Sequence, residues 1–508
     1  MANHIDHPAL SEWCSATMAK ELNRDMRETM VPFGDSELEL STMAPHTILA
    51  GATRSGKTTL IKGMMKAILP APASEGGLKY RALIYDPKRE LYPFLLAIGI
   101  PREQIIVTHP FDLRCTMWDL SADFKEQSQI RQLATALIPE EKSSGKTRQD
   151  FFESAARSTV YHVVNGLIQV LDDQWTLRDI CEACATQDTI RAVMEKTRSG
   201  KEAYEKYYEE TKQYEAKQSK GILGTLENQL DLETIGALWH RSPFKFSMER
   251  WHRSSGILLI GSDPQRSTTV DRLNRLLFQR STELVRSREE RPTDLTWYVM
   301  DEIREGLRLP NLRKLLTAGA SKGVRMIMGF QDMNGMEDVW GEKAAAEMVG
   351  QCGNKILLRF NNPKSAKWAS DLFGETEEWI YTYGSSSSAT YAQNSKTTSY
   401  SQNRSQQIGM RVKALPIEFM DFPEANLDNG IYGWHSIATN QSRFHVSPDD
   451  MEDFLCLNTL PSDNEYLERP PEHQSRIPWT NEECDRFDVK SMQEHDNDEE
   501  IADFDLDF

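Results

Sequence analysis

The 508-residue chain has no apolar run near the roughly 18 residues that a membrane-crossing helix needs. Its start, Met1-Ala2-Asn3-His4-Ile5-Asp6, offers neither a basic region nor an apolar stretch, so no secretory leader is expected. Cysteine is scarce: 7 residues, scattered, which fits a reducing compartment better than a disulfide framework. The lone C-x-x-C, Cys181-Glu182-Ala183-Cys184, lies on a helical pattern without a second pair. It predicts two buried helix positions rather than a metal or redox centre. Net positive charge is missing as well, since the chain carries −18. Residues 481–508 hold 12 acidic and 2 basic side chains, a net of −10, which leaves −8 for the rest (−18 + 10). That excludes a uniformly basic nucleic-acid binder, but an acidic exterior around a basic inner channel stays open.

What is present describes a soluble globular chain, with 39% hydrophobic and 27% charged residues. It is too long for one core, so two or three domains are expected. The most informative stretch is Thr47 to Thr59. Here Gly51, four spacers (Ala52, Thr53, Arg54, Ser55) and Gly56-Lys57-Thr58 form a complete phosphate-binding loop signature. An apolar strand precedes it (Ile48, Leu49, Ala50) and a helix follows it (Leu60 to Leu69). Glycines in such a loop let backbone N–H groups turn toward phosphate oxygens at a helix N-terminus, where the dipole favours negative charge. Lys57 is expected to reach the β- and γ-phosphates of ATP, the Thr58 hydroxyl to ligate Mg²⁺, and Thr59 to close the loop. Gly145-Lys146-Thr147 repeats the last three letters, but Glu140 replaces the first glycine and no strand precedes it, so a solvated loop is expected there.

Residues 1–45 read as a helical lead-in and an edge strand (Glu37 to Leu40). Ala82 to Tyr85 reads as a buried strand ending in Asp86-Pro87-Lys88-Arg89-Glu90, the end where open α/β sheets bind ligands. Asp86 either belongs to the site or caps the next turn. From 121 to 249 the pattern is helical. Ile130, Leu133, Ala134, Leu137 and Ile138 make one stripe, and Phe152, Ala155, Thr159, Val163, Leu167 and Val170 another. Tyr204, Tyr207, Tyr208, Thr211 and Tyr214 line one face of a charged helix. A packed face explains them more simply than nucleic acid does.

Strand signals return at Ile257 to Ile260, followed by a long helix from about Thr268 to Arg288. Trp297-Tyr298-Val299-Met300 then delivers Asp301-Glu302 at a strand's carboxyl end. Downstream of a phosphate loop this pair suits nucleotide hydrolysis, with Asp301 holding Mg²⁺ and Glu302 polarising the attacking water. Gly323 to Phe330 is a further strand with Gln331 at its end, placed either to sense the γ-phosphate or to make a plain strand-end hydrogen bond. Lys355 to Phe360 and Gly430 to Trp434 complete the strands. Residues 384–407, rich in Ser, Thr, Tyr, Asn and Gln, read as a mobile loop unable to bury a core. Residues 446–508 read as a disordered Pro- and acid-rich tail that either docks on a partner or only solubilises.

This order of parts resembles the type IV coupling proteins, ring ATPases of conjugation and type IV secretion in the HerA–FtsK superfamily. The resemblance covers roughly residues 44 to 440. It rests on Gly51 to Thr58, Asp86-Pro87-Lys88, the helical insertion, Asp301-Glu302 and Gly329-Phe330-Gln331-Asp332-Met333 with Trp340-Gly341 following. It implies an α/β RecA-like motor (46–120 and 250–445) with an all-α insertion (121–249). Catalysis would fall to Glu302, Lys57 and Gln331, with ATP and Mg²⁺ bound between the subunits of a homo-hexamer that pumps DNA. Relaxase or secretion-system proteins become candidate partners through the helical block and the tail. The implied location is the cytoplasm, or the inner membrane's inner face through a partner. The sequence departs from the family where a membrane anchor usually precedes the motor. It also reads Gly319-Ala320 where many members read Gly-Arg, which leaves Lys322 or Arg325 as the nearby cations. An ATP-gated recruitment platform and a cytosolic HerA-like DNA-processing or defence ATPase are the alternatives.

Overall fold

Nine strands, labelled here in chain order, form the central sheet of the computed structural model. They are β1 Thr47–Ala50, β2 Arg81–Asp86, β3 Ile105–Val107, β4 Ile257–Gly261, β5 Thr296–Met300, β6 Val324–Phe330, β7 Asn354–Leu357, β8 Ile431–Ile437 and β9 Asn440–Val446. The structure describes residues 4–489 except 11–28, 71–79, 140–147, 210–214, 231, 264–265, 290–294, 304–308, 310, 393–394, 438–439 and 461–466. The order across the sheet is β9-β8-β7-β1-β6-β5-β2-β4-β3. From β7 to β3 all neighbours are parallel, and β8 runs antiparallel to both β7 and β9.

Strands covered on both faces read as nearly continuous apolar runs, and Ile257–Gly261 and Thr296–Met300 do, Thr296 apart. In β5, Trp297 and Val299 join a core with the helix Lys57–Ile68, while Tyr298 and Met300 join the core on the opposite face. That opposite core is continuous with the helical block inserted between β3 and β4. Both stripes read from the sequence are there: Ile130, Leu133, Ala134, Leu137, Ala155, Thr159, Val163 and Leu167 are buried, with Phe152 and Val170 packed against them. Tyr204 and Tyr208 are buried and stacked at 5.2 Å, so this face packs as expected. Thr211, Tyr214 and the Gly145-Lys146-Thr147 repeat lie outside the described residues. Chain entry and return are held together by a small parallel sheet of Ile5–Asp6, Phe244–Phe246 and Met117–Trp118.

Two expectations are corrected. Residues 384–407 are not an unstructured loop but the distal part of an antiparallel ribbon, Glu375–Ala392 with Ser395–Val412. A segment that buries no core can still pair its backbone groups with each other, and Thr and Tyr favour that geometry. Nor is the whole of 446–508 a structureless tail. Pro448–Leu455 is a helix lying on Lys57–Ile68, where Phe454 fills the space over Gly63, and Trp479, Cys484 and Phe487 are buried in the core continuous with the helical block. Acidic composition hid this because few apolar residues are needed to dock a chain on a surface already formed. Residues 490–508 lie outside the described residues, as do residues 11–28 of the stretch read as a lead-in. The edge strand is seen as Ser36–Glu39, paired with Met30–Phe33.

Candidate functional site

The parallel register brings the carboxyl ends of β1, β5 and β6 to one edge. Phe330 of β6 lies opposite Ala50 of β1, and Met328 opposite Met300 of β5. The residues that follow, Gly51, Gln331 and Asp301, therefore emerge side by side. The close approach of β6 to the acidic pair needs Gly329, because a Cβ there would lie 2.1 Å from the Asp301 carbonyl. The loop between β1 and its helix turns through left-handed backbone at Arg54 (φ 61°) and Gly56 (φ 99°). At Gly56 glycine is also required by space, since a Cβ would sit 2.8 Å from Ile431.

Lys57, Thr58, Asp301, Glu302 and Gln331 line one cavity of about 230 Å³ with the loop residues Thr53 to Gly56 and Thr59. The Lys57 ammonium donates to the carbonyls of Gly51 (2.6 Å) and Ala52 (3.2 Å). Burial pulls its pKa down, and the nearby Glu302 and Asp301 oppose that. The Thr58 hydroxyl donates to Asp301 Oδ2 at 2.6 Å. Asp301 Oδ1 is buried with no hydrogen-bond partner among the described residues, and so is Ser55 Oγ. A hydroxyl and a carboxylate with one unsatisfied oxygen make a hard donor set of the kind Mg²⁺ takes alongside phosphate and water. Glu302 is 7% exposed. Gln331 Oε1 accepts from the Thr53 hydroxyl at a long 3.5 Å.

Asp86 lines the cavity, yet its carboxylate accepts from the N–H groups of Glu90 (3.2 Å) and Leu91 (2.8 Å), which is the capping reading. Burial raises it to about 6 against those hydrogen bonds. Lys322 donates to the carbonyls of Arg286 and Arg288, and Arg325, buried, to those of Ala320 and Val324. Both cations are thus committed within their own chain. Cys181, within the helix Leu177–Ala183, and Cys184, at its C-cap, are both buried, with thiols pushed up by burial, Cys184 to about 12.

Among the wall residues that sequence reasoning missed, Ala425 and Met451 come from far along the chain. The Ala425 N–H donates to the Arg54 carbonyl at 3.0 Å, which ties the loop's left-handed residue to the stretch before β8. Nothing local marks either residue, and Met451 lies in the stretch read as tail.

A phosphate loop on one parallel strand, an acidic pair two strands away and a glutamine on the strand between them define a P-loop nucleoside-triphosphatase fold. Within that class the chain belongs to the type IV secretion-system coupling proteins: the sequence model of that family's DNA-binding domain matches residues 33–425. The coupling protein TraD of Escherichia coli (strain K12) is 22% identical over 379 residues, 72% of this chain. The chain spans about half the length of that curated relative, 49%. Among solved structures, an unbound form of the bacterial conjugative coupling protein TrwBΔN70 superposes with a TM-score of 0.58 and 18% identity, over 89% of this chain and 94% of that one. Plasmid coupling protein TrwB in complex with ADP and Mg²⁺ gives a TM-score of 0.58 and 19% identity, over 91% and 95%. At such identities the likeness is one of fold. Among the described residues no helix is long and apolar enough to cross a membrane.

Proposed function

We propose that the chain is an Mg²⁺-dependent ATPase that recruits and pumps DNA, or a nucleoprotein substrate, as a coupling protein of conjugation or type IV secretion. The observation that carries this reading is the meeting of Lys57, Thr58, Asp301, Glu302 and Gln331 around one cavity, from positions up to 274 residues apart (331 − 57). Family membership and a solved relative holding ADP and Mg²⁺ support it. Residues 46–120 and 250–445 would form the motor, 121–249 an inserted helical module, and six copies a ring with ATP between neighbours.

In this reading the loop N–H groups and Lys57 receive the triphosphate. Thr58 and Asp301 hold the metal, and the unsatisfied Asp301 Oδ1 is the oxygen left for a metal-bound water. Mg²⁺, when bound, neutralises charge developing on the β- and γ-phosphate oxygens. Glu302 orients the attacking water and accepts its proton, and Gln331, uncharged, reports the γ-phosphate. With Lys322 and Arg325 committed elsewhere, neither supplies a cation in trans, so slow turnover is expected. Glu302→Gln should lower ATP turnover about 10³-fold with nucleotide binding retained. Equal rates for wild type and variant would remove the assignment. DNA should stimulate turnover, and its binding should weaken steeply with salt.

One observation favours a second reading, an ATP-gated recruitment platform that does not pump: both candidate cations are tied up in their own chain. Turnover indifferent to any DNA would select it.

A further inference from the structure

The ribbon Glu375–Val412 has two unlike faces. Strand register places Trp379 opposite Ile408, Tyr381 opposite Gln406, Tyr383 opposite Arg404 and Ser387 opposite Tyr400, all on one face. The other face carries Thr382, Gly384, Ser386 and Ser388 across from Ser405, Asn403, Ser401 and Ser399. Large rings are thus confined to one side, and they are open to solvent: Tyr383 is 72% exposed, Tyr400 81% and Trp379 55%. The Arg404 guanidinium lies over both Tyr381 (4.7 Å) and Tyr383 (5.8 Å).

Charge points the same way. From 379 to 412 the chain has no Asp or Glu and three cations, Lys396, Arg404 and Arg411, in a protein of net −18. Arg411 lies on the other face, paired with Glu378 at the ribbon's base, while Arg404 and Lys396 fall in register on the aromatic face. Same-face positions on a strand are about 6.7 Å apart, twice the ~3.4 Å of a base stack, so a flat base fits between neighbouring rings. Arg404 already presents a flat cation to both tyrosine rings.

We propose that the aromatic face of this ribbon binds single-stranded nucleic acid, with bases stacking on Trp379, Tyr381, Tyr383 and Tyr400 and Arg404 meeting phosphate. A duplex keeps its base faces covered, so the rings have little to hold on one. The proposal rests on the DNA-pumping reading above and names its strand contact. In the full chain, with Mg²⁺ and a non-hydrolysable ATP analogue, fluorescence anisotropy should show 30-nucleotide oligo-dT binding well ahead of a duplex of equal length. The triple variant Trp379→Ala/Tyr383→Ala/Tyr400→Ala should lose about 100-fold or more in oligo-dT affinity, while Thr382→Ala on the opposite face loses none. Arg404→Gln should lower the slope of log affinity against log salt by about one. Superimposable thermal melting shows that the variants are folded.

Binding by wild type that the triple variant leaves unchanged overturns the ribbon's role and spares the DNA reading. No binding of oligonucleotide or duplex by wild type removes the DNA reading itself. Variants that alter sedimentation but not oligo-dT affinity would make the face a contact between copies and overturn the proposal.

Discussion

The C-terminal stretch docks twice, and the two docks are built differently. On the phosphate-loop helix, the helix Pro448–Leu455 is held by Phe454 over Gly63, by Met451 buried in the core they share, and by an ion pair, Lys66 with Asp453 at 2.6 Å, whose side chains are 35% and 65% exposed. On the helical block, Arg178 meets Glu483 at 2.8 Å with side chains 4% and 11% exposed. Its guanidinium also donates to the carbonyls of Ile477 and Pro478. Trp479 Nε1 donates to Asp179 at 2.9 Å, and Arg476 pairs with Glu182 at 2.7 Å. Between the docks, buried Arg469 donates to the carbonyls of Asp112 and Leu238. Attraction between charges counts for little in water and much where water is excluded, so the second dock is the firm one. The light dock is the one beside the phosphate-loop cavity, where Met451 forms part of the wall.

The largest test of that contrast is Arg178→Ala, which leaves Glu483 buried and unpaired. It should cost about 3–5 kcal/mol in chemical denaturation and expose 467–489 to protease, with Lys66→Ala as the comparison. A loss under about 1 kcal/mol would put the two docks on a par.

Next in size is a pH effect. Burial works to raise the Glu483 carboxyl, but hydrogen bonds from Arg178 and Thr480 and the Arg178 charge hold it at about 2. A carboxyl held below its unfolded value adds stability that is complete above that value and lost as pH falls from 4.5 toward 2. The stability gap between wild type and Glu483→Gln should therefore be largest above pH 5 and should close on acidification. A gap that stays constant would separate the pair from the dock's strength.

The smallest expected effect is Asp453→Ala. Loss of this exposed pair should cost about 0.5 kcal/mol or less and should fade with added salt.

The site was more legible than its surroundings for a physical reason. A phosphate loop needs particular backbone freedom at fixed spacing, and an acidic pair after four apolar residues marks a buried strand's end. Both are local and can be read from Gly51–Thr58 and Trp297–Glu302. Ile105–Val107 and Asn440–Val446 were not legible. The first is three residues long, and the second is mostly polar, with Phe444 and Val446 its buried apolar residues. The ribbon hid for a related reason: its strands stabilise each other and bury little, so composition gave no strand signal.

Local chemistry thus determined that this protein has a phosphate-loop strand, an acidic strand end and a helical insertion. Tertiary structure alone decided that Gln331 stands between Gly51 and Asp301, because strand order is a long-range choice that no single strand encodes. It also decided that Met451 walls the cavity and that an acidic C-terminal stretch binds two surfaces. Each of these depends on partners hundreds of residues away, and such a partner contributes energy only once the chain has brought it into contact.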